Sequence, residues 1–416
     1  MMKAVVWHDV GNVSVDAVPD PRVTDPADAI IRITTSAICG TDLHFVRGTM
    51  PGMRPGTVLG HEAVGVVEEA GPQVRNFNVG DRVVIPSTIG CGSCVYCRAG
   101  YYAQCDNANP NGKDAGTAFY GGPQTTGPFD GLQAEYARVP YAHTNLVPIP
   151  PGVTDEQAVM ASDIFPTAWF GARLAEIKDG DVVAIFGAGP VGQLAVLSAR
   201  MQGAGRVLIV DGNTDRLETA RLQNAETIDF NKEDPVAMIK ELTGGIGADR
   251  VIDAVGVDAQ LPKSGPAAAT AEKLIGEFAE HPRPTGPDRP PIEQAKDAPR
   301  IAPSDGRWEP GDAPSLALRW ATEAVAKAGT VGIIGVYPPQ HQSFPIGQAM
   351  NENLTLKMGN CNHRKYVPGL LAKIAAGTAD PTTVWSQQET IPTAIEAYEQ
   401  FDKRAPGWTK VTLEVG

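Results

Sequence analysis

The chain has 416 residues, a length at which one hydrophobic core would normally split into two domains. Lys and Arg number 35 against 48 Asp and Glu, a formal net charge of −13, so the basic footprint of a nucleic-acid binder is absent and anionic lipid would repel the surface. Hydrophobic residues at 42% and charged residues at 20% fit a globular chain, and 45 glycines with 35 prolines imply many turns.

The amino terminus, MMKAVVWHDVGNV, is charged too early and apolar too briefly for a signal peptide, so a cytoplasmic protein is expected. Short β-type runs follow at Ala4–Trp7, Ala29–Thr34, Ala63–Glu68, Arg82–Ile85 and Glu135–Val139, broken by Gly and Pro as in an antiparallel barrel or sandwich. After Thr154 the pattern changes to alternating strand and helix. Strands are expected at Asp181–Phe186, Arg206–Val210, Thr227–Asp229 and Arg250–Asp253, with helices at Gly192–Gln202, Thr214–Gln223 and Val236–Leu242 between them. The uncharged stretch Val182–Ala199 has the length of a membrane span, but Gly187, Gly189, Pro190 and Gly192 in its middle make it strand, turn and helix. A helix over 315–328 and a strand Gly329–Ile334 complete the series. Such alternation is the βαβ signature of an α/β fold with a doubly wound parallel sheet. From Pro338 helices and short strands mix, and Lys410–Val415 reads as a strand returning to the first domain.

Residues 259–314 fit neither pattern. They carry eleven prolines, far more than a connection of about 2–6 residues between strand and helix needs. This insertion is either a disordered surface loop or a flap closing over a cofactor.

Four of the six cysteines crowd into fifteen residues: Cys91, Cys94, Cys97 and Cys105. Four thiolates so spaced can wrap one tetrahedral zinc and leave no position for water, which makes the ion structural. A redox C-x-x-C is the competing reading, yet it has no use for the third and fourth cysteines. A second, open site is suggested by Cys39-Gly40-Thr41-Asp42-Leu43-His44 and by Gly60-His61-Glu62. A thiolate and an imidazole would need one further ligand from later in the chain, with a position left for a substrate oxygen. Asp42 can hold the second ring nitrogen of His61. Taken singly, a Cys and a His are also ordinary core residues.

Val182–Phe186 runs directly into Gly187-Ala188-Gly189-Pro190-Val191-Gly192, a G-x-G-x-x-G turn between strand and helix. Its glycines permit a tight turn and close approach of a pyrophosphate, which the helix amino end attracts. Asp211 ends the next strand, nineteen residues past Gly192. A carboxylate there accepts from the ribose hydroxyls and repels a 2′-phosphate, favouring NAD, and Arg216 could partly offset that. A flavin or S-adenosylmethionine remains a second use of such a loop.

With these residues assembled, the chain resembles the zinc-dependent medium-chain alcohol dehydrogenases along nearly its whole length. The resemblance implies a β-rich GroES-like catalytic domain from residues 1–163 and 339–416, carrying the structural zinc lobe at about 90–106, and a Rossmann domain from 164–338 inserted between. In this family the third catalytic ligand lies just before the cofactor domain and is commonly cysteine; here Asp163 takes that place. That departure, together with the 259–314 insertion, is similar to the formaldehyde dehydrogenase-like branch. The resemblance also implies two zinc ions and NAD as cofactors, with Cys39, His61 and Asp163 holding the catalytic zinc. Glu62 would be able to swing onto that ion. Thr41 would pass the alcohol proton, by way of the nicotinamide ribose, to His44 as a surface-side base, although a turn hydroxyl and an exposed histidine are alternatives. Gly256, Gly335 and Val336 would line the nicotinamide half of the cofactor.

The expected activity is hydride transfer between an alcohol, or hydrated formaldehyde or its adduct, and NAD. The expected partners are such small molecules and a second copy in a homodimer or homotetramer, without nucleic acid or membrane. An aldehyde dismutase that keeps its NAD bound is the alternative enzyme, and a non-catalytic zinc and dinucleotide-binding protein the alternative class. Cys361 reads as a small buried hydrophobe. His143, His281, His341 and His363 have no partner that spacing reveals, and Phe45, Phe119, Tyr120 and Trp169 serve equally as core or as pocket lining.

Overall fold

The computed structural model describes residues 1–271, 307–308, 310–338 and 344–415. Most of the proline-rich insertion, with His281 and His341, lies outside the described residues, and so does the expected flap. Among the described residues, sixteen strands fall into three sheets. The first is β1 (Met2–Asp9), β2 (Asn12–Val18) and β4 (Thr57–Val58), in the order β2-β1-β4. A second sheet has the order β15-β16-β3-β5-β6-β8, from β3 (Ala29–Ile38), β5 (Ala63–Ala70), β6 (Arg82–Ile85), β8 (Val147–Pro148), β15 (Gln387–Thr390) and β16 (Val411–Glu414), with β7 (Tyr136–Val139) pairing β3. The third is wholly parallel: β11-β10-β9-β12-β13-β14, from β9 (Val182–Phe186), β10 (Arg206–Asp211), β11 (Glu226–Asp229), β12 (Ala248–Asp253), β13 (Val325–Ile333) and β14 (Thr355–Met358).

Alternation and burial explain these elements. Ile31 and Ile33 of β3, Val67 of β5, Val83 and Ile85 of β6 and Val411 and Leu413 of β16 share one buried cluster with Leu59, Tyr120 and Tyr398. β16 runs antiparallel to β3, so the end of the chain does return to the sheet built by the first part of the chain. Around the parallel sheet, Ala184, Phe186, Leu208, Val210, Val251 and Val331 pack with Leu316 and Trp320 of the helix Leu316–Ala324. Strands covered on both faces are continuous apolar runs, as Val182–Phe186 and the centre of Arg206–Asp211 are.

The described residues divide into two compact units. One holds Met1–Phe170, the pair Arg307 and Trp308, and the chain from Gly359 onward; the other runs from Gly171 to Met358 apart from that pair. The division therefore falls after Phe170 and at Gly359, rather than after Asp163 and at 339 as the motifs suggest. β14 is the reason for the later return, because its parallel pairing with β13 takes the preceding residues into the second unit. Phe170 goes with the first unit, its ring 6.1 Å from that of Tyr366. Trp308 does so too, donating from Nε1 to the Gly11 carbonyl at 3.1 Å. The expected helix 315–328 ends at Ala324, because Val325 pairs with Ala248 and starts β13. An α-helix, Gly40–Arg47, stands where only a turn is expected.

That helix is tied to Ala394–Asp402 by a buried ion pair, with Arg47 Nε 2.7 Å from Asp402 Oδ1. Removing one member of a buried pair costs about 3–5 kcal/mol, since the remaining charge stays out of water. Asp402→Ala is therefore expected to lower the urea midpoint of unfolding by an amount corresponding to about that loss.

Candidate active site

Strand β3 delivers Cys39 to the candidate metal site. The chain turns at once into helix Gly40–Arg47, and Asp42 Oδ2 accepts the Cys39 backbone N–H at 2.9 Å. A carboxylate at the third helical position satisfies one of the unpaired end donors. The same side chain orients His61: its Oδ1 lies 3.1 Å from Nδ1, which turns Nε2 toward Asp163. Gln133 Nε2 donates to Asp42 Oδ2 at 3.3 Å, and the Tyr398 hydroxyl fixes Gln133 by donating to its Oε1 at 2.9 Å.

Asp163 precedes helix Ile164–Leu174 and keeps its two oxygens in different company. Oδ2 stands 3.6 Å from Cys39 Sγ and 3.5 Å from His61 Nε2. Oδ1 stands 2.6 Å from His363 Nε2, and accepts from Ser87 Oγ at 2.8 Å and Thr167 Oγ1 at 3.3 Å. Cys39, His61, Glu62 and Asp163 are all buried, with ligand atoms within 4.8 Å of one another. Bond lengths of about 2.0–2.3 Å to a tetrahedral zinc give S–O and N–O edges of about 3.4–3.6 Å, so these separations fit that ion.

Glu62 adds a fourth donor. Lys410 Nζ, fully buried on the strand end beside β16, donates to Glu62 Oε2 and to the Ile38 carbonyl. Glu62 Oε1 is buried without a hydrogen-bond partner among the described residues. Burial pushes the Glu62 carboxyl up to about 7 against the opposing charge of Lys410. Burial, with the charge of Glu62, also raises the Cys39 thiol, so metal binding there would release a proton. For Asp163 burial acts upward too, yet the hydrogen bonds from His363 and His61 win and hold it well below the usual carboxylate range.

The cysteine quartet forms a separate knot. Sulfurs of Cys91, Cys94, Cys97 and Cys105 lie within 4.8 Å of one another, and Cys94 Sγ is 3.9 Å from Cys105 Sγ. Zinc–sulfur bonds of about 2.3 Å give a tetrahedral edge of about 3.8 Å. Backbone amides already face the sulfurs: Cys91 and Asn107 donate to Cys105 Sγ at 3.2 and 3.4 Å, and Cys97 to Cys94 Sγ at 3.4 Å. The Cys97 thiol and these amides hold the Cys105 thiol down at about 4. All six cysteines are free.

In the second unit, β9 leads into the glycine turn at the point where strand order reverses, between β9 and β12. Ligands of open parallel sheets bind in the crevice at such a point. Gly187 has φ +93°, and a Cβ on Gly192 would lie 1.8 Å from the Gly187 carbonyl oxygen, so both positions require glycine. Gly189 caps the helix Pro190–Met201, with Pro190 at its first position, Val191 half-buried and Arg216 Nη1 nearby. Asp211 Oδ2 accepts from Ala188 N at 2.7 Å, while Oδ1 accepts from Gly212 N and Asn213 N at 2.8 and 2.9 Å. Gly256 lies against Gly335 and Val336, and Val257 N donates to the Val336 carbonyl at 2.9 Å, so the three late positions do meet.

Thr41 and His44 lie three residues apart and share one face of the helix after Cys39. His44 is buried, with Nδ1 3.1 Å from Thr49 Oγ1, which corrects its reading as a surface-side base and excludes an exposed histidine. Phe45 and Tyr120 are core, whereas Phe119 sets its ring 5.1 Å from the His61 ring, beside the candidate metal site. Cys361 is buried, as expected. Sequence reasoning missed His363, Ser87, Thr167, Gln133 and Lys410. Only Lys410 carried a local signal, a lone cation within the otherwise uncharged run Thr409–Leu413.

Comparison with known proteins follows the same division. The chain matches the family described as Alcohol dehydrogenase GroES-like domain over residues 25–151, and that described as Zinc-binding dehydrogenase over residues 190–274. It is 35% identical to the zinc-type alcohol dehydrogenase-like protein AdhB of Bacillus subtilis, across 99% of this chain and 100% of that protein. The glutathione-independent formaldehyde dehydrogenase of Pseudomonas aeruginosa is 38% identical over 62% of this chain and 66% of its own length. Among solved structures, the alcohol dehydrogenase TADH of Thermus sp. ATN1 superposes with a TM-score of 0.79 at 32% identity, covering 100% of both chains.

Proposed function

Because this chain belongs to the zinc-type medium-chain alcohol dehydrogenase family, we propose that it exchanges a hydride between a small alcohol and NAD. One observation carries the reading: a thiolate, an imidazole and a carboxylate, buried together, at the separations of a tetrahedral zinc. Cys39, His61 and Asp163 would hold that ion, and the four-cysteine knot a second, structural one. Zinc so held supplies Lewis acidity that eases loss of the alcohol proton, and NAD supplies the hydride acceptor.

The chain's own residues do the rest. Burial keeps water from the ligand cluster, and Asp42 fixes the imidazole of His61. Thr41 and His44, on one helical face, are the proposed path for the released proton. The glycine turn would cradle the pyrophosphate, and the Asp211 carboxylate, fixed by three backbone amides, favours ribose hydroxyls over a 2′-phosphate. Asp163 in place of a thiolate, with the partial likeness to a formaldehyde dehydrogenase, supports hydrated formaldehyde as the substrate to try first.

The test is zinc analysis of purified protein together with reduction of NAD and of NADP, using short alcohols and formaldehyde with and without glutathione. About two zinc ions per chain and faster reduction of NAD are expected. Active protein with a single zinc per chain would overturn the open-site reading.

A further inference from the structure

A carboxylate in a zinc site poses a problem that a thiolate does not. Sulfur offers one donor atom, whereas a carboxylate has two oxygens and can turn to bind through both. Bidentate binding would fill the position an open site must leave for substrate. The surroundings of Asp163 bear directly on this.

Three donors crowd Oδ1, on the side away from Cys39 and His61. His363 Nε2 is the nearest at 2.6 Å, ahead of Ser87 Oγ at 2.8 Å and Thr167 Oγ1 at 3.3 Å. His363 is itself fixed from behind, with Nδ1 3.1 Å from Thr88 Oγ1. It opens the helix His363–Ala375, and the residue before it is anchored as well: Asn362 Oδ1 accepts the Ala103 backbone N–H at 3.0 Å. His363 is buried, so water does not compete for its bond to Asp163.

We infer that His363 is a positioning residue for Asp163, holding the outer carboxylate oxygen so that only Oδ2 meets the metal and the site keeps an open position. The inference rests on the proposed zinc site and names the device that makes a carboxylate serve there. In this arrangement Nε2 is the donor to Oδ1, and Nδ1 is held against the Thr88 hydroxyl. Groups of this kind behind metal ligands are worth roughly 10–100-fold in metal affinity.

Zinc affinity of the open site would be measured in the full chain by chelator competition, with the four-cysteine zinc as an internal control. His363→Ala should bind open-site zinc roughly 10–100-fold more weakly, while His363→Gln, which keeps an N–H donor, recovers most of the loss. In cobalt-loaded protein the visible absorption should weaken in His363→Ala, as the released carboxylate turns and coordination rises from four to five; a merely structural role would not move that spectrum. Affinity within about twofold of wild type, with an unchanged cobalt spectrum, would overturn the inference while leaving the zinc site standing. Absence of open-site zinc from the wild-type protein would overturn both. Should His363→Ala lose the four-cysteine zinc too, Thr88→Val decides: open-site affinity several-fold weaker supports the role, and unchanged affinity overturns it.

Discussion

Asp163→Ala protein is expected to fold, to keep the four-cysteine zinc, and to lose turnover by about a thousandfold or more. The reasoning begins with what the side chain supplies. Its Oδ2 is one of three donors around the candidate ion, and the other two, Cys39 and His61, cannot complete an open tetrahedral site alone. Lewis acidity provides several kcal/mol of transition-state stabilisation, and each 1.36 kcal/mol is tenfold in rate. Folding should survive because Asp163 lies at a helix start, its neighbours Ser87 and Thr167 are hydroxyls that tolerate other acceptors, and the same two hydroxyls, each 3.1 Å from His363 Nε2, remain as partners for the histidine that loses its carboxylate. Zinc content measured beside kcat separates the outcomes: one zinc per chain with little turnover supports the assignment, and full turnover removes Asp163 from the site.

Cys97→Ser should act mainly on stability. The four sulfurs of that lobe have one another, a set of backbone amides and the side chains of Ser93 and Asn107 as polar company, and Cys91, Cys97 and Cys105 belong to the core of the first unit. Without its ion the lobe loses the binding energy that orders it, since metal binding at such sites is folding energy. A loss above about 3 kcal/mol is expected, lowering the thermal midpoint by roughly 6–12 °C. Calorimetry with and without chelator checks this. A wild-type midpoint indifferent to prolonged chelation, yet sensitive to reductant, would return the quartet to the redox reading.

Strands were the most legible part of the fold, and the reason is physical. Arg82–Ile85 and Arg206–Asp211 announce themselves through β-branched runs bounded by turn residues, and the parallel sheet through regular alternation with helices. Helix Gly40–Arg47 was hidden because its eight residues begin with Gly-Thr-Asp, which reads as a turn until the cap formed by Asp42 is seen. Cys39, His61 and Glu62 each belong to a compact local pattern, whereas Asp163 is reached only through the family resemblance. His363 offers no such pattern. It lies 196 residues from Thr167 and 276 from Ser87, and only the folded chain brings them to one carboxylate.

If both candidate groups bind metal as proposed, their unequal donor sets would give the chain two sites of unlike taste. Four sulfurs favour soft cations, whereas a mixed sulfur, nitrogen and oxygen set tolerates harder ones. Exposure to cobalt under mild chelation should exchange the mixed site before the all-sulfur one. A hybrid protein, with zinc in the knot and a spectroscopically visible ion at the proposed open site, would then be obtainable without altering a single residue.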